Sequence, residues 1–74
     1  MSSNKSSANG HLSSREIEVV KLLAEDLSSK EVAARLGIAE KTVNFHRQQI
    51  KQRLDVKGIV GMVRYAIRHG MVEA

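Results

Sequence analysis

Apolar residues fall along this chain in four clusters, separated by short polar stretches, and each cluster has the spacing of a helix. The first runs from Leu12 through Ile17, Val19, Val20, Leu22 and Leu23. Ser13 and Glu16 form an S-x-x-E capping box at its start, in which hydroxyl and carboxylate each accept a backbone N–H. Leu12 and Ile17 flank that cap at the spacing of a hydrophobic staple. A helix is expected from Ser13, ending near Asp26. The second cluster repeats this grammar: Ser28 caps, Glu31 closes the box, and Leu27 and Val32 form the staple. Val32, Ala33 and Leu36 face inward, and Gly37 suits a left-handed C-cap.

The third helix is expected over about Glu40 to Leu54. Val43, Ile50 and Leu54 fall on one edge and predict its buried side. Apart from Phe45, the rest of this helix is polar. Its cap position is Ala39, poorer than Ser or Asp by about 1 kcal/mol. The fourth helix covers about Ile59 to His69, with Gly58 as cap and Gly70 as stop. Val60, Val63 and Ile67 form one apolar stripe; Ile59, Met62 and Ala66 form another. Two apolar faces call for two partners, the core and a dimer surface; the ordinary alternative is one broad core-facing side. Gly61, one turn in, is expected to weaken this helix by up to about 1 kcal/mol relative to alanine.

The chain has 74 residues, enough for one domain. Residues 1–11 are Ser/Asn/Gly-rich and read as a flexible tail or linker; 12–74 form the folded unit. The folded unit is near the lower size limit for a domain without staples. There is no cysteine, which excludes disulfides and thiolate zinc sites. His11, His46 and His69 are too far apart to suggest a local ligand pair, so neither a metal nor a cofactor is expected. No apolar run is long enough to span a membrane, and the N-terminus lacks the apolar stretch of a signal peptide. A cytoplasmic protein is expected. An enzyme is not: there is no glycine-rich phosphate loop, no paired-carboxylate pocket and no reactive thiol.

Charge adds a direction. The net charge is +4. Residues 28–54 alone carry Lys30, Arg35, Lys41, Arg47, Lys51 and Arg53 against Glu31 and Glu40, a net of +4. That is the footprint of a polyanion partner or, more ordinarily, a solvated basic face.

Five motifs stand in order from Leu12 to Met71: L-S-x-R-E, L-S-x-K-E-V-A, R-L-G-I, E-K-T-V-x-x-H and V-R-Y-A-I-R-H-G. With them the chain resembles the LuxR/GerE/FixJ family of helix-turn-helix domains over about sixty residues. The resemblance implies an all-α, four-helix LuxR-type domain in which helices two and three form the helix-turn-helix and helix four serves dimerisation. It departs from the family at Ala39, where a hydroxyl cap is usual, and at Asp26 and Asp55, where glycine is frequent. Those two helix ends are therefore expected to be less sharply terminated. Gly58 and Gly61 also replace more usual polar residues, which puts the stability of helix four in question.

The implied function is sequence-specific double-stranded DNA binding for regulation of transcription, with helix three in the major groove. Asn44, Phe45 and Gln48 lie opposite the predicted buried edge and, by family correspondence, are the base-facing positions. Each amide can bond bidentately to an adenine edge, and Phe45 can pack on thymine methyl groups. The alternative for Phe45 is packing against helix one or two. The phosphate candidates are Lys41, Thr42, His46, Arg47 and Lys51 on helix three and Lys30 on helix two. The alternative for His46 is a half-buried structural histidine. Arg35 and Arg53 are expected to be solvated or paired with nearby acids, and Glu16 and Glu31 to act as caps. Val60, Val63, Arg64 and Ile67 are the candidate homodimer residues. The resemblance leaves open a small stand-alone regulator or an effector attached to an N-terminal receiver or sensor domain, with RNA polymerase as a further partner. Two other readings are a sigma region-four-like promoter-binding domain and a helical protein-interaction module that does not read DNA. E-K-T-V-x-x-H favours the first family.

Overall fold

The computed structural model describes residues 12–72. The expected tail, residues 1–11, lies outside the described residues. Four helices follow in order: α1, Ser14–Ala24; α2, Ser29–Leu36; α3, Glu40–Leu54; and α4, Ile59–Arg68. There is no strand among the described residues, and none of these helices is long and apolar enough to cross a membrane.

Both capping boxes form. The Ser13 hydroxyl accepts the Glu16 N–H at 3.1 Å, and Glu16 Oε1 accepts the Ser13 N–H at 3.0 Å. At α2 the reciprocal distances are 3.1 Å and 2.8 Å between Ser28 and Glu31. The Ser28 backbone N–H, then its hydroxyl, hold the Glu31 carboxyl below its ordinary pKa. A depressed folded-state pKa means that this contribution is present above the unfolded-state value and is lost as pH falls through the folded one. Titration of Glu31 followed by NMR is expected to give a midpoint below that of a free glutamate. Ser28→Ala, which keeps the backbone N–H and removes the hydroxyl, should move it only part of the way back up; an unchanged midpoint would show that the hydroxyl adds nothing to the hold of the backbone N–H.

α3 begins without such help: Ala39 has extended backbone and makes no side-chain cap. The helix ends behave differently from expectation. Gly37 is left-handed as anticipated (φ 70°), and the Ile38 N–H closes on Ala33 O at 3.0 Å. Asp26 (φ 70°) and Asp55 (φ 56°) are left-handed as well. Both ends are therefore terminated by the same turn that glycine would make. Aspartate is one of the few L-residues to visit this region, because its short side chain bonds locally. At α3 the turn is closed by the Val56 N–H on Lys51 O at 3.1 Å.

The core runs through all four helices: Leu12, Val19, Val20, Leu23, Val32, Ala33, Val43, Ile50, Met62, Ala66 and Met71. The predicted edge of α3 is buried at Val43 and Ile50 and half-buried at Leu54. Small Ala33 lies in the core between α2 and its neighbours, and α2 packs mainly on α3. α4 resolves into two faces. Met62 and Ala66 are fully buried, while Val60 and Ile67 are 66% and 39% exposed, so its apolar side is not one broad core-facing surface. α4 stops at Arg68, with His69 as its C-cap. Gly70 (φ 73°) then turns the chain back, the Met71 N–H bonds Ala66 O at 2.8 Å, and Met71 enters the core.

Gly61 has a packing role that intrinsic propensity does not show. A Cβ there would lie 2.8 Å from Val56 Cβ and 3.2 Å from Val56 Cγ1. The absent side chain is the space in which the α3–α4 connection sits. In an open helix, Gly61→Ala would stabilise by up to about 1 kcal/mol. Here overpacking is expected to outweigh that gain and lower stability by about 1–2 kcal/mol net. Chemical denaturation of the variant checks the sign; a stabilised protein would mean that Val56 moves aside at little cost.

Candidate nucleic-acid interface

α3 lies between α2 on one flank and α1 on the other. Helical periodicity sorts its polar residues into rows, because positions three, four and seven apart share a face. Opposite the buried edge runs Lys41, Phe45, Gln48 and Gln52, every one exposed. Phe45 is 60% exposed, which removes the alternative of packing against helix one or two. Its ring meets that of His46 at a tilted 59°, with centroids 6.2 Å apart. Gln52 was not among the sequence candidates; the signal for it was its spacing, seven after Phe45 and four after Gln48.

The flank toward α2 carries Asn44, Arg47 and Lys51. Asn44 is exposed and the other two are half-buried. The Ser29 hydroxyl, on the first residue of α2 and only 7% exposed, donates to Asn44 Oδ1 at 2.8 Å. Arg47 Nη1 donates to the same hydroxyl at 2.6 Å. Arg47 thus spends one of its five N–H donors on bracing α3 against α2. Ser29 could not be anticipated from sequence, because it stands fifteen positions from Asn44 and only the helix-turn-helix crossing brings them together.

The flank toward α1 carries Thr42, His46, Gln49 and Arg53. Thr42 is exposed and His46 half-buried. Arg53 donates to buried Glu16 and forms an ion pair with it. Glu16 is therefore both the α1 cap and the acid that joins α1 to α3. This agrees with the expectation that Arg53 pairs with a nearby acid. Lys30, near the start of α2, is exposed. The structure thus brings Lys41, Phe45 and Gln48 to one outward row, with Asn44 and Thr42 exposed on its two flanks, and ties both Asn44 and Arg47 to Ser29 at the α2 seam.

A short helix, a tight glycine turn and a second helix with a polar outer row define a helix-turn-helix DNA-binding domain. The chain belongs to the luxR family of bacterial regulatory proteins: the family's sequence profile, GerE, matches residues 10–66. Among solved structures, that of the transcription factor GerE superposes with a TM-score of 0.76 at 37% identity, covering 81% of this chain and 90% of that one. The transcriptional regulatory protein MctR of Rhizobium johnstonii is 38% identical over 61 residues, 82% of this chain and 28% of MctR. YgeK, a response regulatory protein of Escherichia coli, is 35% identical over 69 residues, 93% of this chain and 47% of YgeK. The chain thus spans less than half the length of these two relatives. It is a DNA-binding domain of the transcription-regulator type.

Proposed function

We propose that this domain reads duplex DNA sequence-specifically, with α3 in the major groove and Asn44, Phe45 and Gln48 meeting base edges. The observation that carries the reading is the exposed row on α3, with an unburied Phe45 at its centre, on a helix whose opposite edge forms the core. In a helix-turn-helix the N-terminal part of the second helix meets the bases and the first helix crosses the backbone. Lys41, Thr42 and His46 on α3 and Lys30 on α2 are then placed for phosphates, which set register and affinity. Arg47 and Lys51 reach the same backbone from the α2 seam. The domain acts by binding and not as an enzyme.

The test is selection of bound duplexes from a random pool, followed by affinity measured against salt. Lys41→Ala is expected to weaken all sequences alike and to reduce the salt slope by about one. No duplex affinity, or affinity insensitive to salt, would instead favour a helical interaction module.

On DNA we read a homodimer formed through Val60, Val63, Arg64 and Ile67 of α4. Support comes from the exposed Val60 and Ile67 on a helix whose other face is fully engaged. A two-fold symmetric selected motif is the expected sign. A receiver or sensor domain on the N-terminal side, and contact with RNA polymerase, fit the response-regulator relatives and belong to the whole protein. A cytoplasmic location accords with a DNA-binding regulator.

A further inference from the structure

We propose that Phe45 reads the C5-methyl group of a pyrimidine: the domain binds a site more tightly with thymine or 5-methylcytosine at one position than with their unmethylated counterparts, so cytosine methylation of DNA regulates where it binds. The inference rests on the reading of Phe45 as a base-facing residue. It starts from the isolation of the ring. Among the described residues the exposed large apolar side chains are Phe45, Val60 and Ile67, and the last two belong to α4. In the outward row of α3 the neighbours of Phe45 are Lys41, Gln48 and Gln52, all polar and all exposed. Protein-docking sites are marked by contiguous apolar patches, and one ring in a polar row is not such a patch. Its counterpart is a polar surface with a single apolar point. His46 meets the ring on the flank toward α1, with centroids 6.2 Å apart, and steadies it there.

The major groove of duplex DNA offers that point. Its base edges present hydrogen-bond donors and acceptors and one apolar group, the C5-methyl of thymine. A phenyl ring has no N–H or O–H to donate and no lone pair to accept with. At a base edge its discrimination therefore comes from covering the methyl. The methyl of 5-methylcytosine occupies the same C5 position on the groove edge, and the ring forms no hydrogen bond to the exocyclic oxygen or amine beside it. Two comparisons isolate the methyl with the paired purine held constant. Thymine against uracil keeps adenine opposite, and 5-methylcytosine against cytosine keeps guanine opposite. Covering one such group raises affinity by about fourfold.

The experiment begins with selection from a random duplex pool using the wild type, Phe45→Ala and Phe45→Leu, with helicity and thermal unfolding recorded for each. Phe45 is 60% exposed, so both variants are expected to fold. Phe45→Ala identifies the base position that depends on the ring, and the wild type is expected to select thymine there. Synthetic duplexes then carry thymine, uracil, 5-methylcytosine or cytosine at that position alone. The wild type should favour thymine over uracil, and 5-methylcytosine over cytosine, by about fourfold in each case. Phe45→Ala should bring both ratios close to one, and Phe45→Leu, which keeps an apolar side chain, should retain a preference in both. Equal wild-type binding of thymine and uracil would overturn the methyl reading, as would ratios that survive in Phe45→Ala. A thymine preference without a 5-methylcytosine preference would overturn the regulation by cytosine methylation. If Phe45→Ala alters no position, the assignment of Phe45 to base reading fails, and this inference fails with it. If it alters one position while thymine and uracil bind alike, only the methyl reading fails.

Discussion

Ile50→Ala is expected to lower the free energy of unfolding by about 2–5 kcal/mol. Ile50 is fully buried at the centre of the α3 edge that closes the core. The loss combines the transfer free energy of the removed methyl and methylene groups with that of the cavity they leave. Stability of roughly 0.05–0.15 kcal/mol per residue gives a domain of this size only a few kcal/mol in total. The variant should therefore be substantially unfolded near room temperature. Urea unfolding followed by circular dichroism checks this, with the denaturant slope expected to stay that of the wild type. A loss below about 1 kcal/mol would mean that the core relaxes around the site far more than in well-packed proteins. Ile50 faces away from the exposed row, so saturating DNA should recover the folded state by mass action without altered sequence preference.

Gln48→Ala is expected to cost about 1–3 kcal/mol on the preferred site, and much less on unrelated duplexes. Gln48 is exposed in the middle of the outward row, with Phe45 on one side and Gln52 on the other. No hydrogen bond to another described side chain is seen for it, in contrast with Asn44, so both ends of its amide are available for a bidentate contact. Gln52→Ala should have a smaller effect, because base contacts concentrate toward the N-terminal part of the reading helix. Binding titrations with the selected site and a scrambled duplex separate loss of discrimination from loss of general affinity. Equal weakening on both duplexes would move Gln48 from the base edges to the phosphates. A larger effect at Gln52 than at Gln48 would place the other end of α3 in the groove.

Much of this domain was legible one residue at a time. The two S-x-x-E boxes were visible because a cap is a local interaction, complete within four residues. The buried edge of α3 followed from heptad spacing between Val43 and Ile50, and the missing cap at Ala39 from its lack of a side-chain oxygen. What the sequence does not show depends on partners distant in sequence or on backbone state. Helix propensity marks Gly61 as a weakness, whereas in the fold Val56 fills the space a Cβ there would need. Asp26 and Asp55 looked like imperfect stops, yet both adopt the left-handed turn. Arg47 and Asn44 read as free polar positions because Ser29 belongs to another helix.

By itself, the sequence determined where the four helices begin, which edge of each is apolar, and that positive charge gathers on the helix-turn-helix. Those properties rest on capping, periodicity and composition, all of which act over a few neighbouring residues. Only the tertiary structure decided which polar groups on α3 are still available to a partner. Crossing α3 over α2 and α1 brings Ser29 to Asn44 and Arg47, and Glu16 to Arg53. The Ser29 contacts engage a donor and an acceptor that the sequence presents as free, and the Glu16 contact supplies the acid that pairs with Arg53. The row left outside, Lys41, Phe45, Gln48 and Gln52, is what packing does not use.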